Sequence, residues 1–366
     1  MSFSKLTLLA ASSAALAGIA SAGTLYLPAY PSAVLVFDEA QAKVVDRIPL
    51  HTGTPMSIRL SPDHKRIYIT TIDHNGIEVI DVATRKVTNY FELNTPTKQY
   101  RLFNGTADPE GKMFYAITKE ITAFPEHFEV SKPKYTVIDL QQQKIVKTID
   151  IPKEEEAQNQ GDYGAGWLEI SPDGKYIYQF GEKITVLEAP DFKVVDHIDL
   201  ARPDAPGMEN VHFGSDLDLI NSPGQHTGMF VWSDPIVHNR VFGLATMDLT
   251  TRQFDFKPIG PAPTGSAGIE VTPDKKWAYT VIQTGIHGTK HCEFWSMDLA
   301  NSGRIAARAE VPCRTRFTLG ISTNGKKLYI YGAGFDIEVY DAATLKYEKT
   351  WDLNTDVTYA GIVVLP

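Results

Sequence analysis

The stretch from Ser171 to Leu200, SPDGKYIYQFGEKITVLEAPDFKVVDHIDL, decides the fold of this chain. A Pro-Asp-Gly turn opens it, and three short runs rich in Tyr, Ile and Val follow, with tight polar turns between them. Such runs are typical of antiparallel strands joined by hairpins. The segment GAGWLEI just before it supplies a further strand, so the stretch predicts a unit of four antiparallel strands.

This unit recurs along almost the whole chain of 366 residues. In each copy a strand ends in an apolar and an acidic residue, and a short polar turn follows. The acidic residues of the seven copies are Asp38, Asp81, Asp139, Glu188, Asp248, Asp298 and Asp341. A carboxylate at this place can accept N–H bonds from the turn, so we interpret these residues as structural rather than catalytic. A second turn, of the SPDGK type, precedes most of them at Ser61, Asp108, Ser171, Thr272 and Ser322.

Four-stranded units spaced about 40–60 residues apart predict an all-β protein, specifically a seven-bladed β-propeller with four antiparallel strands in each blade. The first unit, Leu25 to Leu50, contains only three strands, and the C-terminal segment Thr358 to Leu365 is a single strand. We therefore expect the C-terminal strand to join the N-terminal blade and close the ring, which would leave few exposed sheet edges.

The N-terminus predicts a secretory signal peptide over residues 1–22. Lys5 precedes a short apolar run, Leu6 to Ile19, which ends in the small residues Ala20-Ser21-Ala22. The alternative, a transmembrane anchor, needs about 20 apolar residues, and this run is shorter. We expect the mature chain, residues 23–366, to begin near Gly23 and to form one propeller, located in the periplasm if the source is bacterial.

Charge and motifs exclude several classes of function. The formal charge of −9 argues against a nucleic-acid partner, and no later segment resembles a membrane span. There is no GxSxG, HExxH, phosphate-binding glycine loop or CxxCH haem-attachment motif, so we identify no catalytic residue and expect no cofactor bound covalently to this chain. The sequence HGTKHC from His287 to Cys292 could bind a metal, but a solvated polar loop is the preferred interpretation, and no metal site is predicted.

The two cysteines, Cys292 and Cys313, are predicted to form a disulfide. Cys292 begins the third strand of its unit and Cys313 follows the fourth, and the corresponding ends of an antiparallel pair lie side by side. An oxidising compartment would favour the bond.

The longer connections are predicted on one face of the propeller, where binding surfaces are commonly built. The insertion of the third unit carries Phe124, His127 and Phe128. Exposed aromatic side chains there suggest contact with a partner. Phe230 and Trp232 are candidates for a substrate pocket, and a place in the core of a strand is an equally good interpretation for both. Tyr100, in the loop before that insertion, completes the set of pocket or interface candidates.

Several stretches resemble one family. LNTPTKQYRLFNGTADPEGKMFYAI from Leu93 to Ile117, then HFEV from His127 to Val130, then YTVIDLQQQKI, are similar to the propeller (β) subunit of quinohemoprotein amine dehydrogenase. The similarity continues at GLATMDLTTRQ from Gly243 and at ISTNGKKLYIYGAGFDIEVYDAATL from Ile321. HFEV is the most specific of these pieces. More distantly the chain resembles the methylamine dehydrogenase heavy chain and the YVTN-type repeat propellers.

The resemblance implies a periplasmic heterotrimer that oxidatively deaminates primary amines. A small γ subunit would carry cysteine tryptophylquinone, and a dihaem cytochrome c α subunit would carry haem c. The propeller would hold no redox group; it would seat the small subunit and wall the substrate pocket, and alone it would be inactive. Two alternatives stay open: a heavy chain of the methylamine dehydrogenase type, and a non-catalytic propeller that binds a ligand or a protein.

Overall fold

The computed structural model describes residues 23–159, 167–181, 183–200, 210–213, 224–234, 236, 239–263, 265–301 and 303–365. The predicted signal peptide lies outside these residues. Nearly all of the described chain is β-strand, and the described helices are three short 3₁₀ segments, Lys153–Asn159, His287–Thr289 and Leu299–Asn301.

The strands of the first half of the chain are β1 Thr24–Ala29, β2 Ala33–Asp38, β3 Lys43–Pro49, β4 Pro55–Leu60, β5 Arg66–Thr71, β6 Gly76–Asp81, β7 Lys86–Glu92, β8 Lys98–Ala107, β9 Met113–Ala123, β10 Phe128–Val130, β11 Lys134–Asp139, β12 Lys144–Asp150, β13 Trp167–Ile170, β14 Tyr176–Phe180, β15 Ile184–Glu188 and β16 Lys193–Ile198. Those of the second half are β17 Asn210–Phe213, β18 Gln225–Ser233, β19 Arg240–Asp248, β20 Phe254–Pro261, β21 Gly265–Val271, β22 Trp277–Thr284, β23 His291–Asp298, β24 Arg304–Val311, β25 Phe317–Ile321, β26 Lys327–Gly332, β27 Gly334–Asp341, β28 Tyr347–Val357 and β29 Val363–Leu365.

The chain is an all-β propeller, but the predicted number of seven four-stranded blades is wrong. The described strands form five separate blades and one eight-stranded sheet. Blade 1 contains β4–β7, blade 2 contains β8–β12, blade 3 contains β13–β16, blade 4 contains β17–β20 and blade 5 contains β21–β24. The strands of the first and last repeats share the eight-stranded sheet because β1 pairs with β28, at Ala29 and Val357.

The two ends of the chain meet in this eight-stranded sheet. The C-terminal strand β29 pairs antiparallel with β1, with Thr24 opposite Leu365 and Tyr26 opposite Val363. The expected pairing of the terminal strands is thus present, but it lies inside the shared sheet rather than in a separate seventh blade.

Apolar side chains pack between neighbouring sheets. Between blades 2 and 3, for example, Tyr135 stacks on Phe192 with ring centroids 4.6 Å apart, and Tyr115 meets the edge of the same ring at 5.8 Å. All three rings are almost completely buried. The second and third strands of the blades are buried nearly throughout, whereas the outer strands alternate between exposed and half-buried residues. The runs rich in Tyr, Ile and Val are therefore the inner strands of the sheets.

The acidic turns have the predicted structural role. Asp81 Oδ1 accepts the N–H of Thr84 at 2.8 Å, and Asp341 Oδ1 accepts that of Thr344 at 2.9 Å. The fourth residue after the acidic residue has a left-handed backbone conformation in most copies of the turn, with φ between 51° and 60°. In several copies the side chain of this residue is directed toward the preceding repeat. These residues, here called the linking residues, are Ala42, Arg85, Gln143, Phe192, Arg252 and Leu345.

The antiparallel order gives each blade two distinct edges. The connections between second and third strands, and those from one blade to the next, emerge at one edge, which we call the loop face. The SPDGK-type turns and the acidic turns emerge at the other, which we call the turn face. Because a blade-to-blade connection links the same edge of neighbouring sheets, the loop-face edges of successive sheets lie on one side of the propeller.

Candidate functional site

The exposed large hydrophobic side chains concentrate on the loop face. Ten of the fifteen lie in or beside its connections, five lie on outer strands, and none lies in a turn-face connection of the described residues. Those on the loop face are Tyr30, Met56, Ile72, Phe124, Phe128, Val130, Ile236, Ile286, Phe335 and Tyr359. Monomeric proteins seldom expose so many large apolar side chains on one side, so this face is the candidate interaction site.

The insertion of the third repeat forms a β-hairpin that projects from this face. Strand β10 pairs with the end of β9, with Phe128 opposite Ala123, and the N–H of Phe124 donates to the carbonyl of His127 at 2.9 Å across the turn. The His127 ring stacks on the Phe124 ring, with centroids 5.0 Å apart and planes 11° apart. Phe128 is 70% exposed. The structure thus brings three of the predicted interface residues together at one apolar tip.

A charged cleft of about 550 Å³ lies at the base of this hairpin. Lys132 Nζ pairs with Glu156 Oε1 at 2.8 Å, and Lys134 Nζ with Asp150 Oδ1 at 3.1 Å. Glu156 belongs to the 3₁₀ helix Lys153–Asn159, so this helix forms one wall of the cleft.

The neighbouring Glu155 holds that helix in place. Its carboxylate is fully buried and accepts bonds from Thr185 Oγ1 at 2.7 Å and Lys183 Nζ at 2.9 Å, and lies 2.6 Å from His197 Nε2. Burial alone would raise the pKa of Glu155, but these partners together lower it, so the carboxylate is ionised at neutral pH. The acidic run of the sequence is therefore partly a structural anchor between blades 2 and 3.

Tyr100 lies one strand away from the hairpin, on β8, opposite Glu120 of β9. Its side chain is half-buried, and burial together with the Glu120 carboxylate raises the pKa of its hydroxyl. Glu120 also binds Lys98 Nζ at 2.7 Å. Tyr100 therefore belongs to the same extended sheet as the hairpin, but not to its exposed tip.

Phe230 and Trp232 occupy the core rather than a surface. They are 0% and 1% exposed and contact each other with ring centroids 4.2 Å apart. They pack with Phe256 of blade 4 and with an apolar cluster that includes residues of blade 3. The sequence left two roles open for these residues, and the structure shows core packing. Phe230 and Trp232 are two positions apart on β18, so their side chains lie on the same face of the sheet, in the same buried cluster.

The predicted disulfide between Cys292 and Cys313 is present, with Cα atoms 5.3 Å apart. It joins the start of β23 to the segment just after β24, at the loop-face edge of blade 5. The bond therefore fixes the connection that leads out of this blade.

A buried ion pair joins the first strands of blades 1 and 3. Arg59 of β4 lies with Nη2 3.6 Å from Glu169 Oε1 of β13, and its Nη1 donates to the Leu168 carbonyl at 3.0 Å. Its guanidinium carbon lies 3.8 Å from the centre of the Trp167 ring. Burial lowers the pKa of Arg59 and raises that of Glu169. The pair ties blade 1 to blade 3, which are not consecutive in the chain.

The histidines do not assemble a metal site among the described residues, which contain no cluster of three or more metal-ligating side chains. His291 instead lies between two glutamates, 3.2 Å from Glu293 and 3.4 Å from Glu310. No helix in the described part of the chain has the length and apolar character of a membrane span.

Sequence reasoning missed most of the exposed apolar residues of the loop face. Ile72, Ile236 and Ile286 lie in connections between second and third strands, and Phe335 is the second residue of the third strand β27, next to such a connection. The available signal was a large apolar residue within a connection that is otherwise polar, repeated from one unit to the next. The Arg59–Glu169 pair left no signal, because the two residues are 110 positions apart in sequence.

Comparison with solved structures supports the propeller fold. A protein of unknown function from Desulfotomaculum acetoxidans superposes with a TM-score of 0.56 at 12% identity, covering 94% of this chain and 99% of its own. The apo form of AztD from Citrobacter koseri gives 0.52 at 14% identity, covering 94% and 98%. Hydrazine synthase from Kuenenia stuttgartiensis gives 0.48 at 17% identity, covering 85% and 86%, and the conclusion does not depend on it.

The two structures with TM-scores above 0.5 support the class of protein that the sheets define, a β-propeller, over 94% of this chain. No protein-family model matches the sequence, and no curated protein matches it. At identities below 20% the solved structures establish the fold and no function.

Proposed function

We propose that this chain is the non-redox propeller subunit of a periplasmic amine dehydrogenase complex, and that its loop face seats the small quinone-bearing subunit. The observation that carries the proposal is the concentration of exposed apolar side chains on the loop face, with the hairpin of Phe124, His127 and Phe128 projecting from it. The sequence resemblance, which includes HFEV in this hairpin, supports the identity of the partner.

The proposed division of labour follows from the chemistry. The quinone would accept electrons from the amine, and haem groups on the cytochrome subunit would carry them on. Removal of a proton from a quinone-bound substrate needs a base and a site that excludes water. The propeller would contribute the second of these by covering the small subunit with its apolar loops. We propose the periplasm as the location, after removal of residues 1–22.

The test is purification of the native complex through a tag on this chain. We expect co-purification of a haem-containing subunit, recognised by its absorbance, and of a small subunit that stains for quinone. The complex should oxidise primary amines with an artificial electron acceptor, and the isolated chain should not. A monomer without haem or quinone would refute the proposal and favour a stand-alone binding propeller, and so would amine oxidation by the isolated chain.

A substitution in the hairpin tests which surface seats the partner. Phe128→Ala should weaken assembly by about 2 kcal/mol, or roughly 30-fold, because a central aromatic anchor commonly contributes this much. Tyr347→Ala is a matched control, since Tyr347 is 57% exposed but lies on the outer strand β28. Unchanged assembly in Phe128→Ala combined with His127→Ala would show that the hairpin is not the docking site.

A further inference from the structure

The linking residues show what normally covers the boundary between two sheets on the turn face. At the boundary of blades 3 and 4, the guanidinium carbon of Arg252 lies 4.5 Å from the ring centre of Tyr176. Arg252 Nη1 also lies 3.3 Å from Asp196 Oδ2. A protein guanidinium is thus held between an aromatic face and a carboxylate at this boundary.

The boundary between blade 5 and the eight-stranded sheet has the same turn and an aromatic ring at the same position but lacks the guanidinium, and Ala307 holds the register position of Asp196. Trp277 follows Thr272 by five residues, as Tyr176 follows Ser171, and the two backbone N–H groups make the same bond, to Thr272 Oγ1 at 3.1 Å and to Ser171 Oγ at 2.9 Å. The linking residue here is Leu345, with φ 58° against 60° for Arg252. Trp277 therefore occupies the position of Tyr176, and Leu345 that of Arg252.

Leu345 cannot reproduce the contact that Arg252 makes. Its side chain is 4% exposed and is buried in an apolar cluster with Phe294 and Tyr340. No cation of the described chain stacks on Trp277. What remains is an open groove of about 660 Å³, with Trp277 and Tyr279 in its lining.

The groove has the charges that a cation would need. Asp274 and Asp341 line it, and hydrogen bonds from their own turns keep the pKa of each carboxyl below its usual value, so both are ionised at neutral pH. Lys326 and Lys327 line it as well. The Lys327 ammonium is bound by Glu348 and lies 3.6 Å from Asp341, so its charge is compensated. Lys276 Nζ likewise lies 3.6 Å from Asp274 Oδ2, but both side chains are more than half exposed, so this ion pair is weak. Two carboxylates thus border the aromatic wall, each with a lysine close to it, and Lys326 is a further opposing charge.

We propose that this groove binds a guanidinium group from outside the chain, stacked on Trp277 and paired with Asp274 or Asp341. The source could be an arginine side chain of another protein or free arginine, which offer the same cation. The site is on the turn face, so it is independent of the partner proposed for the loop face, and the two proposals can fail separately.

The test is ligand-observed NMR on the full chain with arginine blocked at both ends, with free arginine, and with blocked citrulline, the neutral isostere. We expect the guanidinium probes to bind and blocked citrulline to bind at least about threefold more weakly, because a cation stacked on a half-buried indole contributes at least this factor. Binding of blocked arginine as strong as that of the free amino acid indicates a protein side chain as the source. Binding of free arginine alone indicates a small molecule.

Three variants make the result specific. Trp277→Leu should weaken binding at least about threefold, whereas Tyr176→Leu should leave it unchanged, because Arg252 already covers that ring. Leu345→Arg should abolish binding by supplying the guanidinium from within the chain. The proposal is overturned if neither guanidinium probe binds, if citrulline binds equally well, or if Trp277→Leu binds the probes as the wild type does.

Discussion

The ion pair between Arg59 and Glu169 offers the sharpest test of how the first strands of blades 1 and 3 are held together. At 3.6 Å, and with an effective dielectric constant of about 20, the attraction between the two charges is about 4–5 kcal/mol. Burying the two charges costs a similar amount, so the pair contributes little relative to a well-packed apolar pair. Removing one partner is different, because it leaves the other charge buried without compensation.

We therefore expect Arg59→Met to lower the free energy of unfolding by about 3–5 kcal/mol at pH 8. The loss should be smaller at pH 5. Burial already raises the pKa of Glu169, and without Arg59 this folded-state pKa lies further above the unfolded value. The neutral carboxyl then preserves stability at low pH, and that stability is lost as the pH rises through the folded-state pKa.

The measurement is urea denaturation of four proteins: wild type, Arg59→Met, Glu169→Leu and the double variant. The double variant should be destabilised less than the sum of the two single variants, by about 2 kcal/mol or more, because it leaves no unpaired buried charge. Additive effects within about 0.5 kcal/mol, or a loss below about 1 kcal/mol for Arg59→Met at both pH values, would refute the reasoning.

Two further predictions concern the crosslink and the turns. Cys292→Ala combined with Cys313→Ala should lower the free energy of unfolding by about 3 kcal/mol, the chain-entropy value for a loop closed over 21 residues; a loss under about 1 kcal/mol in urea denaturation would contradict it. Hydrogen bonds from Ser171 and Lys175 lower the pKa of Asp173 to about 2, so its ionised form stabilises the fold above the unfolded pKa and this contribution is lost as the pH falls toward about 2. Asp173→Asn should therefore reduce the loss of stability between pH 4 and pH 2, and an unchanged acid transition would contradict this.

The repeat made the propeller predictable, but not the way in which its first and last units associate. The strands and turns can be predicted from local sequence. The disulfide can be predicted in the same way, because Cys292 and Cys313 lie at the ends of one hairpin. The contact of Ala29 with Val357, which merges two units into one sheet, joins residues from opposite ends of the chain. A local pattern contains no information about such a pairing, so the predicted number of blades was wrong.

The candidate site was predictable where exposure follows from a connection, as at Phe124 and Phe128, which the structure places on a projecting hairpin. It was not predictable inside a strand. Phe230 and Trp232 lie two positions apart on one strand, a spacing that suits core residues and pocket residues equally well. Only the packing of blade 3 against blade 4 decides between these roles. Glu155 belongs to an acidic run that the sequence alone would leave in solvent. The 3₁₀ helix instead directs its side chain into a buried site, where hydrogen-bond donors surround the carboxylate.

The linking residues make the strength of association between neighbouring repeats vary around the propeller. Phe192 stacks on a buried tyrosine, and Arg252 lies on a half-buried ring beside a carboxylate, whereas Ala42 is an exposed methyl group that offers little contact. Since one position per repeat sets much of this contact, mutation there can tune the coupling of two neighbouring repeats without disturbing the strand pairing within either. Local opening, and the first amide hydrogens to exchange, should therefore occur beside Ala42 rather than beside Phe192.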